Sequence, residues 1–568
     1  MLQPQRVAGL LTLAAGLVLA GCAAPQDEAG AGLELPADAE SAAETIDEAT
    51  LSGVVDEISD DAYGGRGPST EGDEKTQQYL INYLEGLGYE PGGPDGAWRQ
   101  PIAIVGIESE MPESWTFRAD GETWKAAWWD DYIAASGVQQ ESVSIEDAEV
   151  VFVGYGIEAP EEDWDDFKGA DLKGKILLML NNDPDWDPEL FAGERRLYYG
   201  RWTYKYETAA RQGAAGAILI HTEPSAGYPW QVVQTSWTGE QFELPAGDEP
   251  RIRLAGWLTE EAAGNLVALG GLDLPALVES ARRRDFHPVP LGVTTSIRFR
   301  NTVDVASRTA NVAGLLRGSD PVLADQFVVY TAHHDHLGIG QPDEAGDAIY
   351  NGARDNASGV ASILAIAKAF TRLEERPRRS ILILPVAAEE QGLLGSLYFS
   401  QHPTVPPGRI AADINIDGGN IFGRTRDVAI VGRGKSDLED LLDAAAALQG
   451  RAVVDEPDPD KGYYYRSDQF NFAKIGVPSL YFKSGRDYLD RPEGWGREME
   501  DRWRQTRYHQ PSDEVYEDWS YAGMVEDVRL AFYVGLSVAE ADDLPAWRPG
   551  DEFERTRIEM LQQAAAEE

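Results

Sequence analysis

The chain is predicted to be an α/β protein: a mixed, mostly parallel central sheet flanked by helices, with a β-rich segment inserted. Three observations predict this. From about residue 308 to 540, short apolar runs alternate with helical periodicities, the pattern of a sheet covered on both faces. Phe327-Val-Val-Tyr330 and Ile381-Leu-Ile-Leu-Pro-Val-Ala-Ala388 are nearly continuous apolar runs, as expected of strands buried on both sides. Metal-ligand residue types follow directly on such runs, and open α/β sheets place their ligands at the carboxyl ends of the strands.

Taken in order, residues 1–6 carry positive charge and residues 7–20 are apolar, a run too short to span a bilayer comfortably. Residues 1–21 therefore read as a signal peptide. The ending Leu19-Ala20-Gly21-Cys22 resembles a bacterial lipobox, which implies that Cys22, the chain's one cysteine, is acylated. With Ala23 following, the resemblance implies a cell-envelope lipoprotein held at the outer membrane by the lipid anchor alone. Residues 22–45 lack aromatics and are expected to be a flexible tether.

Residues 46–120 are assigned to the first part of a catalytic domain, including a helical face of Tyr79, Leu80, Tyr83, Leu84 and Leu87 closed by Gly88. Residues 121–291 are assigned to the insert. There tryptophans and acids are dense and short strands alternate with glycine turns, at 148–156, 172–179 and 208–220. Those three stretches resemble the protease-associated (PA) domain, a β-rich module. His221 and His287 are isolated in it and expected to be structural. Residues 292–545 form the second catalytic part, and 546–568 a charged tail. Pro385, inside an otherwise good strand, predicts an edge, a bulge or a strand end.

Acidic residues number 97 against 49 basic ones, a formal charge of −48, which disfavours charge-driven binding to nucleic acid or anionic lipid. A single cysteine excludes disulfides within the chain.

Five stretches carry the chemistry: Thr331-Ala-His333-His-Asp335-His336, Asn351-Gly-Ala-Arg-Asp355, Glu389-Glu390, Asp417-Gly-Gly and Arg507-Tyr508-His509. Any one of their carboxylates reads equally as a cap or a surface charge; together, in this order, they resemble the M28-type zinc aminopeptidases. The resemblance implies a site for two zinc ions, with Asp355 bridging, His333 and Asp417 completing one site, and Glu390 and His509 the other. It implies that Glu389 is the general base and that Asp335 hydrogen-bonds the far nitrogen of His333. Adjacent glutamates at a strand end can diverge because side chains alternate. His334 and His336 are left outside the ligand set. The run Tyr463-Tyr-Tyr-Arg466-Ser-Asp468-Gln469 resembles the family's pocket border, with Gln469 where histidine is more usual; Arg466 is a candidate for a substrate carboxylate and Tyr508 for an oxyanion.

The resulting expectation is a zinc-dependent exopeptidase acting on peptides, an aminopeptidase. A carboxypeptidase or glutaminyl cyclase on the same scaffold, or a non-catalytic peptide-binding protein, is the alternative.

Overall fold

The computed structural model describes residue 33 and residues 35–566. The predicted signal peptide and Cys22 lie outside the described residues. Among the described residues, no helix is long and apolar enough to cross a membrane.

Two large sheets organise the chain. The first holds eight strands in the spatial order Glu90–Pro91, Gly314–Leu316, Ser380–Val386, Phe327–His333, Ile410–Asn415, Ser479–Ser484, Asp427–Ile430 and Ala452–Asp455. The four from Ser380–Val386 to Ser479–Ser484 run parallel, antiparallel pairings flank them on both sides, and the edge strand Ala452–Asp455 runs parallel to Asp427–Ile430. The fold is thus mixed α/β, as expected. Every residue of Phe327–His333 and of Ser380–Val386 is buried, which is why both read as unbroken apolar runs. The helix Ser358–Phe370, buried along nearly its whole length, covers one face together with Ala522–Glu540.

Pro385 lies in a central strand, not an edge. It pairs with Ala332, but its antiparallel neighbour ends opposite Ile383, so no ladder partner on that side needs the missing N–H. Of the three expected placements, the strand end is the one found.

The chain leaves Phe327–His333, forms its neighbour Ser380–Val386 on one side, then crosses back to Ile410–Asn415 on the other. That reversal opens a crevice at the carboxyl end of Phe327–His333, the topological switch point of an open sheet.

The second sheet has ten strands, drawn from Val105–Glu110 through Val289–Asp304. Its centre is parallel: Ser142–Phe152, Ile176–Leu180, Gly216–His221 and Leu254–Thr259. The insert is therefore longer than residues 121–291. The 16-residue strand Val289–Asp304 alternates buried and exposed positions and pairs with Val105–Glu110, and just beyond them Arg308–Val312 pairs with Arg99–Ala103. Entry and exit are one antiparallel ribbon, so the structural boundary lies before residue 121 on entry and after residue 291 on exit.

Two further boundaries move. Residues 39–44 of the expected tether form the helix Ala39–Glu44, with Ala39, Ala42 and Ala43 buried against the core and Ile46 beside them. Small residues at helical spacing pack as closely here as larger ones elsewhere. The expected tail is docked as well: Trp547 and Phe553 are buried with Tyr464, Tyr465 and Phe470, and the Arg557 guanidinium donates to the Ile410 carbonyl at 3.0 Å.

Candidate metal centre

Three adjacent parallel strands deliver most of the site. His333 ends the central strand, Glu389 and Glu390 follow Ser380–Val386, and Asp417 follows Ile410–Asn415. Asp355 precedes the helix Ser358–Phe370, and the Asp355–Asn356 peptide is cis. Asn356 ties this turn to the Asp417 loop: its amide oxygen accepts from the Gly359 and Gly418 N–H groups, both at 2.9 Å, and its amide nitrogen donates to the Ile416 carbonyl at 3.0 Å. Gly359 permits the approach, since a Cβ there would sit 2.4 Å from the Ile416 carbonyl oxygen. His509 comes from a loop far along the chain, anchored by Asp513, whose carboxylate accepts the Asp355 N–H at 3.0 Å.

The five expected ligands converge. The two oxygens of Asp355 face two histidines, Oδ1 at 3.3 Å from His333 Nε2 and Oδ2 at 3.4 Å from His509 Nε2. His333 Nε2 lies 3.7 Å from Asp417 Oδ1, and His509 Nε2 lies 3.1 Å from Glu390 Oε2. Glu389 Oε2 is 4.0 Å from His333 Nε2. Ala388 and Leu393 flank the two glutamates with φ of 52° and 62°, a non-glycine left-handed backbone that turns the segment sharply. Glu389 and Glu390 consequently point to different histidines.

Asp335 acts otherwise than expected. The nitrogen of His333 remote from the cluster, Nδ1, donates to the main-chain carbonyl of Asp335 at 3.2 Å, whereas the Asp335 carboxylate is 3.7 Å away. That carboxylate instead accepts the Glu389 N–H at 3.0 Å and the Glu390 N–H at 3.3 Å. A residue two positions along a turning chain reaches the ring more readily with its carbonyl than with its side chain.

His336, left outside the ligand set, has its Nδ1 2.7 Å from Glu390 Oε1 and holds that carboxylate from behind. Sequence reasoning missed one partner. Ser236, from the insert helix Trp230–Ser236, has its hydroxyl 2.7 Å from His509 Nδ1, and no sequence pattern singles out this serine.

The electrostatics call for cations. Asp355, Glu389, Glu390 and Asp417 are largely buried, and among the described residues no lysine or arginine pairs with any of them. Burial would lower His509, yet Glu390 and Asp355 beside it push it up to about 10. Burial raises Glu389 well above the usual carboxylate range, with Glu390 and Asp417 adding to the rise against His333. The buried His509 Nε2 has no hydrogen-bond partner although two carboxylates lie close. An imidazole whose other nitrogen is tied back, aimed among carboxylates, is a donor set for zinc. Ligand atoms of His333, Asp355 and Asp417 lie within 4.8 Å of one another, as do those of His336, Asp355 and Glu390 and those of His333, Glu389 and Glu390. The residues fit zinc.

The cluster opens into two cavities. One, of about 160 Å³, is bordered by Asp355, Glu389, Glu390, Asp417, Arg466 and Tyr508. The other, of about 450 Å³, lies between the insert and the first sheet and also touches His509. Tyr508 stacks on His509 with ring centres 3.9 Å apart, and burial holds its phenol well above its ordinary pKa, so it remains a donor. Ser467, Asp468 and Gln469 are buried behind the site: the Asn415 amide donates to Ser467 at 2.8 Å and to Gln469 at 2.9 Å.

The family model described as Peptidase family M28 matches residues 311–533. Residues 311–533 are a peptidase family M28 domain. That span contains all five converging ligands and Glu389. Over 149 residues the chain is 31% identical to a probable zinc metalloprotease of Pyricularia oryzae, covering 26% of this chain and 25% of that protein. Over 172 residues it is 30% identical to mouse (Mus musculus) aminopeptidase NAALADL1, covering 28% of this chain and 21% of that protein. The matches thus span a quarter or less of these relatives. Across nearly the full fold, the chain resembles the solved aminopeptidase from Aneurinibacillus sp. strain AM-1, with a TM-score of 0.52, 18% identity, and coverage of 90% of this chain and 97% of that one. The likeness includes the insert and bears on the fold alone.

Proposed function

We propose that the chain is a zinc-dependent aminopeptidase that removes N-terminal residues from peptides at a site for two zinc ions. The observation that carries this reading is Asp355, whose two carboxylate oxygens face two histidines, each with a second carboxylate of its own. His333 and Asp417 would hold one ion, His509 and Glu390 the other, and Asp355 both. When bound, such a pair supplies Lewis acidity and lowers the pKa of water toward neutrality.

Glu389 borders both cavities and is assigned to take a proton from the attacking water and return it to the leaving amine. The Asp335 carboxylate fixes the main chain of both glutamates, and the Tyr508 phenol is the candidate donor to the developing oxyanion. Aminopeptidase polarity is favoured because the carboxylates lining the cavity suit the cationic amine of a free N-terminus.

The test is a set of unblocked and N-acetylated peptides with zinc present, followed by chelation. Cleavage of free peptides only, lost on chelation and restored by zinc, is expected. Equal turnover of blocked peptides with release of the C-terminal residue would replace this reading with a carboxypeptidase.

Envelope placement through lipid on Cys22 is a proposal from the lipobox pattern. Cys22→Ala should abolish fatty-acid labelling and membrane fractionation. The likeness of the insert to a PA domain is likewise a proposal, resting on its strand–turn pattern.

A further inference from the structure

In a chain with 97 acidic and 49 basic side chains, a cation finds a carboxylate easily. Arginines around the smaller cavity follow that rule: Arg354 pairs with Glu500 at 2.7 Å, Arg504 with Asp501 at 3.3 Å, and Arg486 with Asp458. Of the three arginines that border the larger cavity, Arg251 pairs with Glu243, whereas Arg201, in the insert, and Arg466, in the M28 domain, form no salt bridge among the described residues.

Arg201 Nε is buried without a hydrogen-bond partner, and its guanidinium lies 5.7 Å from the Trp202 ring centre. Among the described residues, the one hydrogen bond of the Arg466 guanidinium is long, 3.4 Å to the Ala226 carbonyl. It sits between Tyr228 of the insert and Tyr463, 5.3 Å from each ring centre. These aromatic faces hold the fork in place and leave its edge available. Arg201 is pushed down to about 9, by burial first and by the charge of Arg466 next. Buried cations without a carboxylate partner are costly to keep. Both border the cavity of about 450 Å³ that reaches Glu389, Glu390 and His509, a volume within the range that houses small ligands.

We propose that Arg201 and Arg466 clamp a carboxylate of the peptide substrate, so that insert and M28 domain each supply half of a specificity site. The clamp rests on the peptidase reading above. The carboxylate has two possible sources, the C-terminus of a short peptide or an Asp or Glu side chain, and the recognition chemistry is the same for both.

The experiment compares kcat/KM for Leu-Ala-Ala as the free acid, for its C-terminal amide, and for Leu-Ala-Glu amide, using the zinc-loaded full chain. At least one carboxylate-bearing peptide should exceed the neutral amide by roughly 10–100-fold, the scale of a charge-assisted hydrogen bond. An advantage of the free acid identifies the C-terminus as the source; an advantage of the Glu amide identifies the side chain. Arg201→Gln and Arg466→Gln should each bring the ratio toward one, and Arg201→Lys, which keeps charge but loses the fork, should fall between. Equal rates for all three peptides, or a preference that survives in both Gln variants, overturn the clamp. If no peptide is cleaved, the peptidase reading fails, and calorimetric titration with triglycine against triglycinamide decides the clamp separately. Tighter binding of the free acid, lost in Arg466→Gln, supports it; equal affinity overturns it.

Discussion

The two histidine arms of the site are built in opposite ways. His333 is the last residue of a central strand, and its ring is tied to a carbonyl two residues ahead. All of its local support comes from one segment. His509 sits in a loop with φ of 55°, in the left-handed region that side chains rarely adopt. Its ring is tied to Ser236 of the insert and stacked on Tyr508, which itself packs against the insert's apolar cluster. One arm is a property of a sheet; the other is complete only while two bodies are docked. The docking rests on groups such as the Arg195 guanidinium donating to the Arg433 carbonyl at 2.8 Å and Lys461 donating to the Pro224 carbonyl at 2.6 Å.

Asp355 joins the arms, so its replacement should erase the difference between them. Asp355→Asn keeps the shape but removes the charge that both histidines face. Both zinc ions should be lost, by far more than the roughly 10–100-fold that an outer hydrogen-bond partner contributes to metal affinity. Metal analysis after dialysis is the check; retention of two ions per chain would remove Asp355 from the bridging position.

A second substitution tests the division of labour at the turn between the arms. Glu389→Gln should keep both ions and lower kcat by about 10²–10⁴-fold, the usual contribution of a general acid–base group. At about 1.36 kcal/mol per tenfold, that is on the order of 3–5 kcal/mol of barrier. Glu390→Gln, chemically the same change one residue on, should lower the metal content of the His509 arm instead. The ligand atoms of His333, Glu389 and Glu390 also lie within 4.8 Å of one another, so the pair of measurements is decisive. Zinc lost from Glu389→Gln and kept in Glu390→Gln would reverse the assignments.

The contrast also explains what was legible in the sequence. His333, Glu389, Glu390 and Asp417 follow apolar strands directly, so hydrophobic pattern and residue type together located them. The resemblance supplied Asp355 and His509, which no strand end marks. Asp335 was found but its role was misread, because sequence does not reveal whether a turn offers its carbonyl or its carboxylate. Ser236 was invisible: a hydroxyl reaches His509 across 273 positions only after the insert has docked. The insert boundaries were drawn too narrowly for a related reason. Arg99–Ala103 and Arg308–Val312 pair as a ribbon joining the two bodies, and paired strands show no composition break where one body ends. The helix Ala39–Glu44 was taken for tether because alanines carry little hydrophobic signal, although three of its residues are buried.

The smallest expected effect sharpens the comparison most. Ligation through His509 Nε2 requires the proton on Nδ1, where it donates to the Ser236 hydroxyl. Ser236→Ala removes that acceptor and frees the ring to adopt the wrong tautomer or orientation. Affinity for one of the two zinc ions should fall by roughly 10–100-fold. The His333 arm, fixed by its own main chain, should bind its ion as before. Competition with a chromogenic chelator separates the two, because the variant should release one equivalent of zinc at lower chelator concentration and the second at the unchanged one. A uniform weakening of both would mean that Ser236 acts through the docking of the insert as a whole. Unchanged release of both ions would mean that the loop alone, held by Asp513, positions His509, and the asymmetry between the arms would then be one of construction without consequence for metal binding.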